Sequence, residues 1–329
     1  MKKSSLEILP KNKLELKGWP WSEETDKTVF NTNTDWPKIT IITPSFNQGE
    51  FLEETIRSVL LQNYPNLEYI IIDGGSTDES VEIIKKYEPW ISYWVSEKDR
   101  GQSHAINKGL RKTSGDIVNW LNSDDFYEPQ ALLKIANKFK ESKNIEAVLG
   151  VTNVFGGDEK NILSKTPFGD YFYNFSKAKI EQPATFFSGN FFKEINQVDE
   201  DLHLAMDLDI WIKFLLSKKL DQIAEIDDVI VNFRKHEDSK TVNNVGGMIV
   251  ERATLLHEVI LSIDKKNGRY SHLLNNTPKD VKKEIIKGCI DFQLFWYKNI
   301  KQPEYKVQLK NLLKQQKKTI KQKIELFLK

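Results

Sequence analysis

The sequence predicts an α/β fold, a mostly parallel central sheet flanked by helices, followed by a helical C-terminal extension. Three observations carry the prediction. Short apolar runs alternate with helical spacings from Lys38 to Phe155. Small and polar residues cluster where the apolar runs stop. Beyond about residue 245 the alternation ends and only helical periodicity remains. Strand and helix patterns that alternate in this way form crossover units, whose parallel strands are covered on both faces.

Taken in order, residues 1–36 form a polar, irregular arm punctuated by Gly18-Trp19-Pro20-Trp21. Two tryptophans around a proline need burial, so the arm is expected to pack on the body. Ile39–Thr43 reads as the first strand, and Phe51, Leu52, Ile56, Val59 and Leu60 then recur at helical spacing. Leu67–Asp73 is the second strand, before a helix carrying Val81, Ile83 and Ile84. A third strand spans Ile91–Val95 and its helix Ala105–Lys112. The fourth, Ile117–Leu121, precedes a helix through Leu132, Leu133, Ile135 and Phe139, and Ala147–Phe155 closes the series. A further strand-like run covers Ile223–Val231. Met248–Ile263, Val281–Ile300 and Tyr305–Leu328 read as helices, broken near residue 275 and at Pro303. The expected organisation is an arm (1–36), an α/β body (37–241, in halves 37–125 and 126–241) and a helical region (242–329).

Composition narrows the class. Of 329 residues 39% are apolar and 11% aromatic, enough for a sizeable core, and the formal net charge of +1 gives no footprint of a nucleic-acid binder. Single Cys289 precludes an internal disulfide, Met1 to Glu7 lack an apolar leader, and no window reaches the roughly 20 apolar residues of a membrane span. The expectation is a soluble, cytoplasmic protein, with peripheral membrane contact open.

The chemistry is concentrated at the strand ends. Asp116-Ile117-Val118-Asn119-Trp120-Leu121 runs into Asn122-Ser123-Asp124-Asp125, an apolar strand ending in two adjacent carboxylates. Such carboxylates repel unless a positive group sits beside them, and a hard divalent cation shared with substrate phosphates is one solution. The bland alternative is a solvated turn before Glu128-Pro129. Thr43-Pro44-Ser45-Phe46-Asn47, Asp73-Gly74-Gly75-Ser76-Thr77-Asp78 and Arg100-Gly101-Gln102 close the other strands. Ser76-Thr77-Asp78-Glu79 also reads as a capping box, Gly74-Gly75 as a tight turn and Arg100 as a surface ion pair. A nucleotide needs such a lining jointly: carboxylates for base N–H groups, backbone amides and arginine for phosphates. The glycines do not spell G-x-G-x-x-G, which disfavours a dinucleotide.

The runs I-T-P-S-F-N-Q-G, I-I-D-G-G-S-T-D, D-R-G-Q-S-H-A-I-N-K-G and L-N-S-D-D resemble the nucleotide-sugar half of family 2 glycosyltransferases. Q-P-A-T-F-F, A-M-D-L-D-I-W and F-R-K-H-E-D-S-K-T are similar to the acceptor half, so the resemblance covers residues 37–241. It implies a GT-A fold and inverting transfer of a sugar from a nucleoside diphosphate, most often UDP, to an acceptor hydroxyl, with Mg²⁺ or Mn²⁺. By position, Asp73 matches the carboxylate that reads the base. Thr43, Pro44, Ser45 and Asn47 match the first nucleotide loop, and Arg100 lies near base or diphosphate. Asn122-Ser123-Asp124 stands at the D-x-D, with Asp124 the metal carboxylate. Asn122 replaces an Asp found in many relatives and removes one negative charge. His236 matches a residue near metal and diphosphate, and Gln182 and Trp211 belong to the acceptor side, where Trp211 could equally be core.

A sugar hydroxyl needs a general base. The family's Glu-Asp pair aligns with Met206-Asp207, making Asp207 the base, its Glu partner absent, with Asp209 the fallback in the first turn of an amphipathic helix. The segment between Val154 and Gln182, or the residues after His236, would serve as a lid against water. Residues 305–329 hold eight Lys and one Glu beside an apolar stripe, which suits an anionic membrane, packing on the body, or a coiled coil. Surface-polysaccharide or other glycan synthesis is the expected setting. Two alternatives stay open. A nucleotidyltransferase would want a Gly-rich basic first loop. A degenerate sugar-nucleotide-binding subunit of a glycan-assembly complex would suit Asn122 and Met206.

Overall fold

The computed structural model describes residues 5–11, 15–30, 34–156, 161–195, 197–237, 244–263 and 268–327, with side chains as far as 315. The chain divides into two compact units. The first comprises Met1–Thr166, Glu181–His203 and Asp221–Lys235, and the second Pro167–Ile180, Leu204–Leu220 and His236–Lys329.

In the first unit, β1 (Ile39–Ser45) is buried along its whole length because β2 (Leu67–Asp73) and β4 (Ile117–Trp120) flank it, both parallel. β3 (Tyr93–Ser96) adds to β2, also parallel. Helix α2 (Gly49–Leu60) turns Leu52, Ile56 and Val59 into the core, and α3 (Ser80–Tyr87) does so with Ile84 and Tyr87. Each such side chain removed from water contributes about 1.5–3 kcal/mol. Helix α4 (Gln102–Leu110) packs on β1 and β2.

The expected mostly parallel sheet holds for these four strands and is corrected for the rest. β4 pairs antiparallel with β8 (Thr185–Ser188), which pairs antiparallel with β6 (Ala147–Phe155). β6 runs parallel to β9 (Ile223–Arg234) and antiparallel to β7 (Ile162–Lys165), while β9 takes the two-residue β5 (Phe126–Tyr127) antiparallel. The order is β3-β2-β1-β4-β8-β6-β9-β5, with β7 beside β6. Helix α5 (Ala131–Glu141) packs on β6 and β9, and α7 (Gly189–Ile195) on β4 and β8. The arm, which includes the single turn α1 (Ser5–Ile8), is fastened by Arg57, a buried guanidinium on α2. It donates to the carbonyls of Pro10, Pro20 and Trp21, each at 3.0 Å. Trp19 Nε1 donates to the Tyr127 carbonyl at 2.7 Å.

The second unit is helical: α6 (Tyr171–Lys177), α8 (Met206–Ser217), α9 (Val245–Ser262), α10 (Ser271–Leu274), α11 (Lys279–Asn299) and α12 (Pro303–Phe327). Nine of the twelve residues of α8 are buried, so the expected amphipathic helix is corrected to a core helix. In α12, Leu309 is buried while Lys306, Lys310 and Lys314 stand exposed. Among the described residues no helix is long and apolar enough to cross a membrane.

Candidate active site

Strand register brings the polar ends together. Ser45, Asp73 and Ser96 lie in one row across β1, β2 and β3, and Trp120 pairs with Ile42 three residues before it. The loops after β1, β2, β3 and β4 therefore open on one sheet edge, the carboxyl edge where open α/β sheets bind ligands.

Within this edge the predicted residues take different tasks. Thr43 is fully buried, its hydroxyl 3.1 Å from that of Tyr69, and Pro44 is buried beside it. Asn47 is exposed in a left-handed conformation (φ 51°). Its N–H donates to Ser76 Oγ at 2.8 Å and its Oδ1 accepts from Thr77 N at 2.9 Å, tying the first loop to the second. Asp73 is fully buried. Its Oδ2 accepts from Gly75 N, Ser76 N and Ser96 Oγ at 3.0, 2.9 and 2.6 Å, and its Oδ1 from Ser76 Oγ at 2.5 Å. Four internal donors fix the turn that follows β2. Asp78, rather than Ser76, accepts from the first-turn N–H of Ser80 at 3.0 Å. Arg100 is 70% exposed and ion-paired to Glu200, which Asn107 also holds at 2.9 Å.

The Asn122–Asp125 loop is held from three sides. Thr55 Oγ1, on α2, donates to the carbonyls of Ser123 and Asp125 at 3.0 and 2.7 Å. Gln102 Nε2 donates to Asn122 Oδ1 at 2.8 Å, and Asn122 Nδ2 reaches Asp125 Oδ2 at 3.4 Å. From β9, Arg234 N donates to Asp125 Oδ1 at 2.9 Å and Arg234 Nε to the Asp124 carbonyl at 3.1 Å. The Arg234 guanidinium is ion-paired to Glu54 and lies over the rings of Phe51 and Phe155 at 4.9 and 4.8 Å. Burial, then the neighbouring Asp124 charge, pushes the Asp125 carboxyl well above its ordinary range, outweighing its bonds from Arg234 and Asn122. Of the two adjacent carboxylates, Asp125 is fully buried and Asp124 half-buried.

Gln182 is buried in the first unit, its Nε2 donating to Asn119 Oδ1 at 2.9 Å and to the Trp120 carbonyl at 2.8 Å. Its amide pins β4.

In the second unit, Glu251 of α9 accepts from Leu204 N and Ala205 N at 2.7 and 2.6 Å, fixing the entry to α8. Asp207 is half-buried in the first turn, with Leu208 N donating to its Oδ1 at 2.8 Å. Asp209 is fully buried, paired with Lys213 at 2.8 Å and Arg269 at 3.2 Å and accepting from the Tyr270 hydroxyl at 2.7 Å. Those partners remove it as a fallback base. Trp211 is likewise buried, stacked on Phe214 with centroids 5.5 Å apart, so it has no face for an acceptor sugar. His236 is half-buried, two residues after β9. Of the proposed lid, residues 157–160 and 238–243 lie outside the described residues.

Among the described residues no group of three or more His, Cys, Asp or Glu is placed to hold a metal ion. Sequence reasoning missed Thr55 and the locking role of Arg234. Thr55 carries no pattern beyond its helix, whereas Arg234 stood inside a quoted motif.

A mixed sheet with polar loops along one carboxyl edge and helices on its faces is the GT-A class of nucleotide-sugar folds. The profile of glycosyl transferase family 2 matches residues 40–196. A glycosyltransferase of Mycobacterium tuberculosis, itself uncharacterized, is 30% identical over 187 residues, covering 56% of this chain and 71% of the relative. Another from Rickettsia typhi is 28% identical over 247 residues, covering 71% of this chain and 75% of the relative. The chain belongs to glycosyl transferase family 2. Among solved structures, S. aureus TarS 1-349 in complex with UDP-GlcNAc is similar at TM-score 0.62 and 18% identity, over 84% of this chain and 79% of that one. The mannosyltransferase PcManGT from Pyrobaculum calidifontis, in complex with GDP-Man and Mn2+, is similar at TM-score 0.52 and 19% identity, over 89% and 82%. Membership sets aside the nucleotidyltransferase reading.

Proposed function

We propose that the protein transfers a sugar, with inversion, from a nucleoside-diphosphate donor, most often UDP-linked, to an acceptor hydroxyl in glycan or surface-polysaccharide synthesis. The observation that carries this reading is the alignment of four polar strand ends on one edge, with Asp124 half-buried beside the locked, buried Asp125. Structures similar in fold were solved with UDP-GlcNAc and with GDP-Man and Mn2+, which supports a donor of this class.

The oxygen donors of Asn122, Ser123 and Asp124 suit Mg²⁺ or Mn²⁺, ions that take few protein ligands and share the rest with phosphates. Asp124 would hold the ion, with His236 a second candidate. When bound, the cation supplies Lewis-acid neutralisation of the leaving diphosphate. Asp207 takes the acceptor proton, and Leu208 N–H fixes its carboxylate for that task. Arg100, already ion-paired to Glu200, would exchange that partner for a donor phosphate. Peripheral attachment to an anionic membrane through 305–329 belongs to the same proposal.

UDP-sugar turnover measured with Mn²⁺ and with chelator tests the reading. Turnover should require the cation and fall to background in Asp124→Ala. Wild-type rates from Asp124→Ala under chelation would sink it, and tight donor binding without turnover over a broad acceptor screen would instead favour the degenerate-subunit reading.

A further inference from the structure

The N-terminal arm lies ahead of residues 40–196, the part of the chain that matches the family profile, yet its contacts run to the loop that carries Asp124. Two residues of α2, one turn apart on the same face, receive it. Arg57 is buried and donates to the Pro20 and Trp21 carbonyls, and its guanidinium lies over the Trp21 ring at 5.4 Å. Glu54 accepts a hydrogen bond from the Trp21 side chain, whose one donor is the indole N–H, and forms the ion pair with Arg234. Arg234 in turn donates its Nε to the Asp124 carbonyl at 3.1 Å and its backbone N–H to Asp125 Oδ1 at 2.9 Å. A second tryptophan acts beyond the loop, where Trp19 Nε1 donates to the carbonyl of Tyr127, two residues past Asp125.

Glutamate and arginine side chains carry several rotatable bonds, and holding two of them in one geometry costs conformational entropy. The Trp21 ring, clamped by Arg57, restricts Glu54 to the conformer that faces Arg234. The guanidinium is boxed by the Phe51, Phe126 and Phe155 rings at 4.9, 5.8 and 4.8 Å, so its Nε stays aimed at the Asp124 carbonyl. Burial alone would be met by any apolar ring at positions 19 and 21. What the indoles add is two donors aimed at the groups that frame the loop.

We propose that the arm is a positioning element for the Asp124 loop, acting from Trp21 through Glu54 and Arg234 and from Trp19 through Tyr127. The tryptophans take no part in the chemistry. They set where the Asp124 backbone stands, and with it the direction of the carboxylate. The consequence for a bound cation rests on the proposed reading of Asp124 as the residue that holds it.

Amide hydrogen exchange on the full chain tests the placement without a substrate. The reporters are the N–H groups of Asp125, Tyr127 and Arg234, bonded to the Asn122 carbonyl, Ser58 Oγ and Asp125 Oδ1. Trp21→Phe keeps a ring over Arg57 and removes the indole N–H. It should speed exchange at these three amides about tenfold or more, with the β1 amides and the melting temperature unchanged. The Mn²⁺ concentration at half-saturation beside UDP, read from the electron paramagnetic resonance of the free ion, should rise about threefold or more. Added to Glu54→Gln, Trp21→Phe should change nothing further, because the path is already broken. Ser5→Ala, which removes the arm's hydroxyl bond to Asn63, should move neither readout. Wild-type exchange rates in Trp21→Phe, or rates that rise equally in β1 with a lower melting temperature, overturn the proposal and leave the arm a packing element. An unchanged Mn²⁺ half-saturation in a loosened loop overturns it as well. If exchange changes as expected while wild type binds no Mn²⁺ beside UDP, the cation reading fails and the positioning of the loop stands.

Discussion

Each of the two units carries a close pair of aspartates, and the pairs are built on opposite electrostatic terms. Asp209 is buried with its charge matched by Lys213, Arg269 and the Tyr270 hydroxyl, and Asp207 is left half-buried. Asp125 is equally buried, but its hydrogen bonds come from a backbone N–H and a side-chain amide, and the neighbouring Asp124 charge opposes it. The nearby Arg234 guanidinium is spent on Glu54 and the Asp124 carbonyl. Both pairs thus divide into one fully buried and one half-buried carboxylate. They differ in the partners of the interior member, ion pairs for Asp209 and a backbone N–H and an amide for Asp125. A buried ion pair becomes costly when one member is removed, whereas a carboxyl held by neutral donors tolerates an amide in its place.

The largest effect expected from this division is on chemistry. Asp207→Asn keeps the bond from Leu208 N–H but cannot accept a proton, so turnover should fall about 10²–10⁴-fold with unfolding midpoint unchanged. Wild-type turnover from this variant would remove Asp207 as the base.

The two interior members sharpen the comparison in a urea titration. Asp209→Ala leaves Lys213 and Arg269 without their anion and should cost about 3 kcal/mol, at the low end for buried pairs because both cations are partly exposed. Asp125→Asn should stay within about 1 kcal/mol of wild type. Equal losses from the two would break the distinction.

Glu68 gives the smallest test, a half-buried carboxylate held by hydrogen-bond donors and a nearby lysine charge. Burial raises its carboxyl, but the Ser114 N–H and hydroxyl, Thr40 and Lys38 outweigh it and hold the group below its ordinary range. A depressed folded value stabilises above the unfolded one and is lost as pH falls through it. Glu68→Gln should therefore cost up to about 1 kcal/mol at pH 7 and progressively less as the pH falls through the carboxylate range, by thermal unfolding across pH. A pH-independent difference would show that shape, not charge, matters there.

Much of the fold was legible because local order sets period. Leu67–Asp73 and Ala147–Phe155 read as strands and are strands of those bounds, since an unbroken apolar run suits a strand covered on both faces. Thr185–Ser188 was not read as a strand, because four residues after a Gln-Pro-Ala turn carry too short a pattern. Missing it hid the antiparallel middle of the sheet.

By itself the amino-acid order marked the longer strands and helices, and that carboxylates gather where strands end, since both follow from neighbours a few places apart. The folded chain alone decided which aspartate of each pair is interior. The groups that set it arrive from afar, Arg234 from 109 positions beyond Asp125 and Arg269 from 60 beyond Asp209. Burial and charge pairing are properties of that three-dimensional company, which no local pattern encodes.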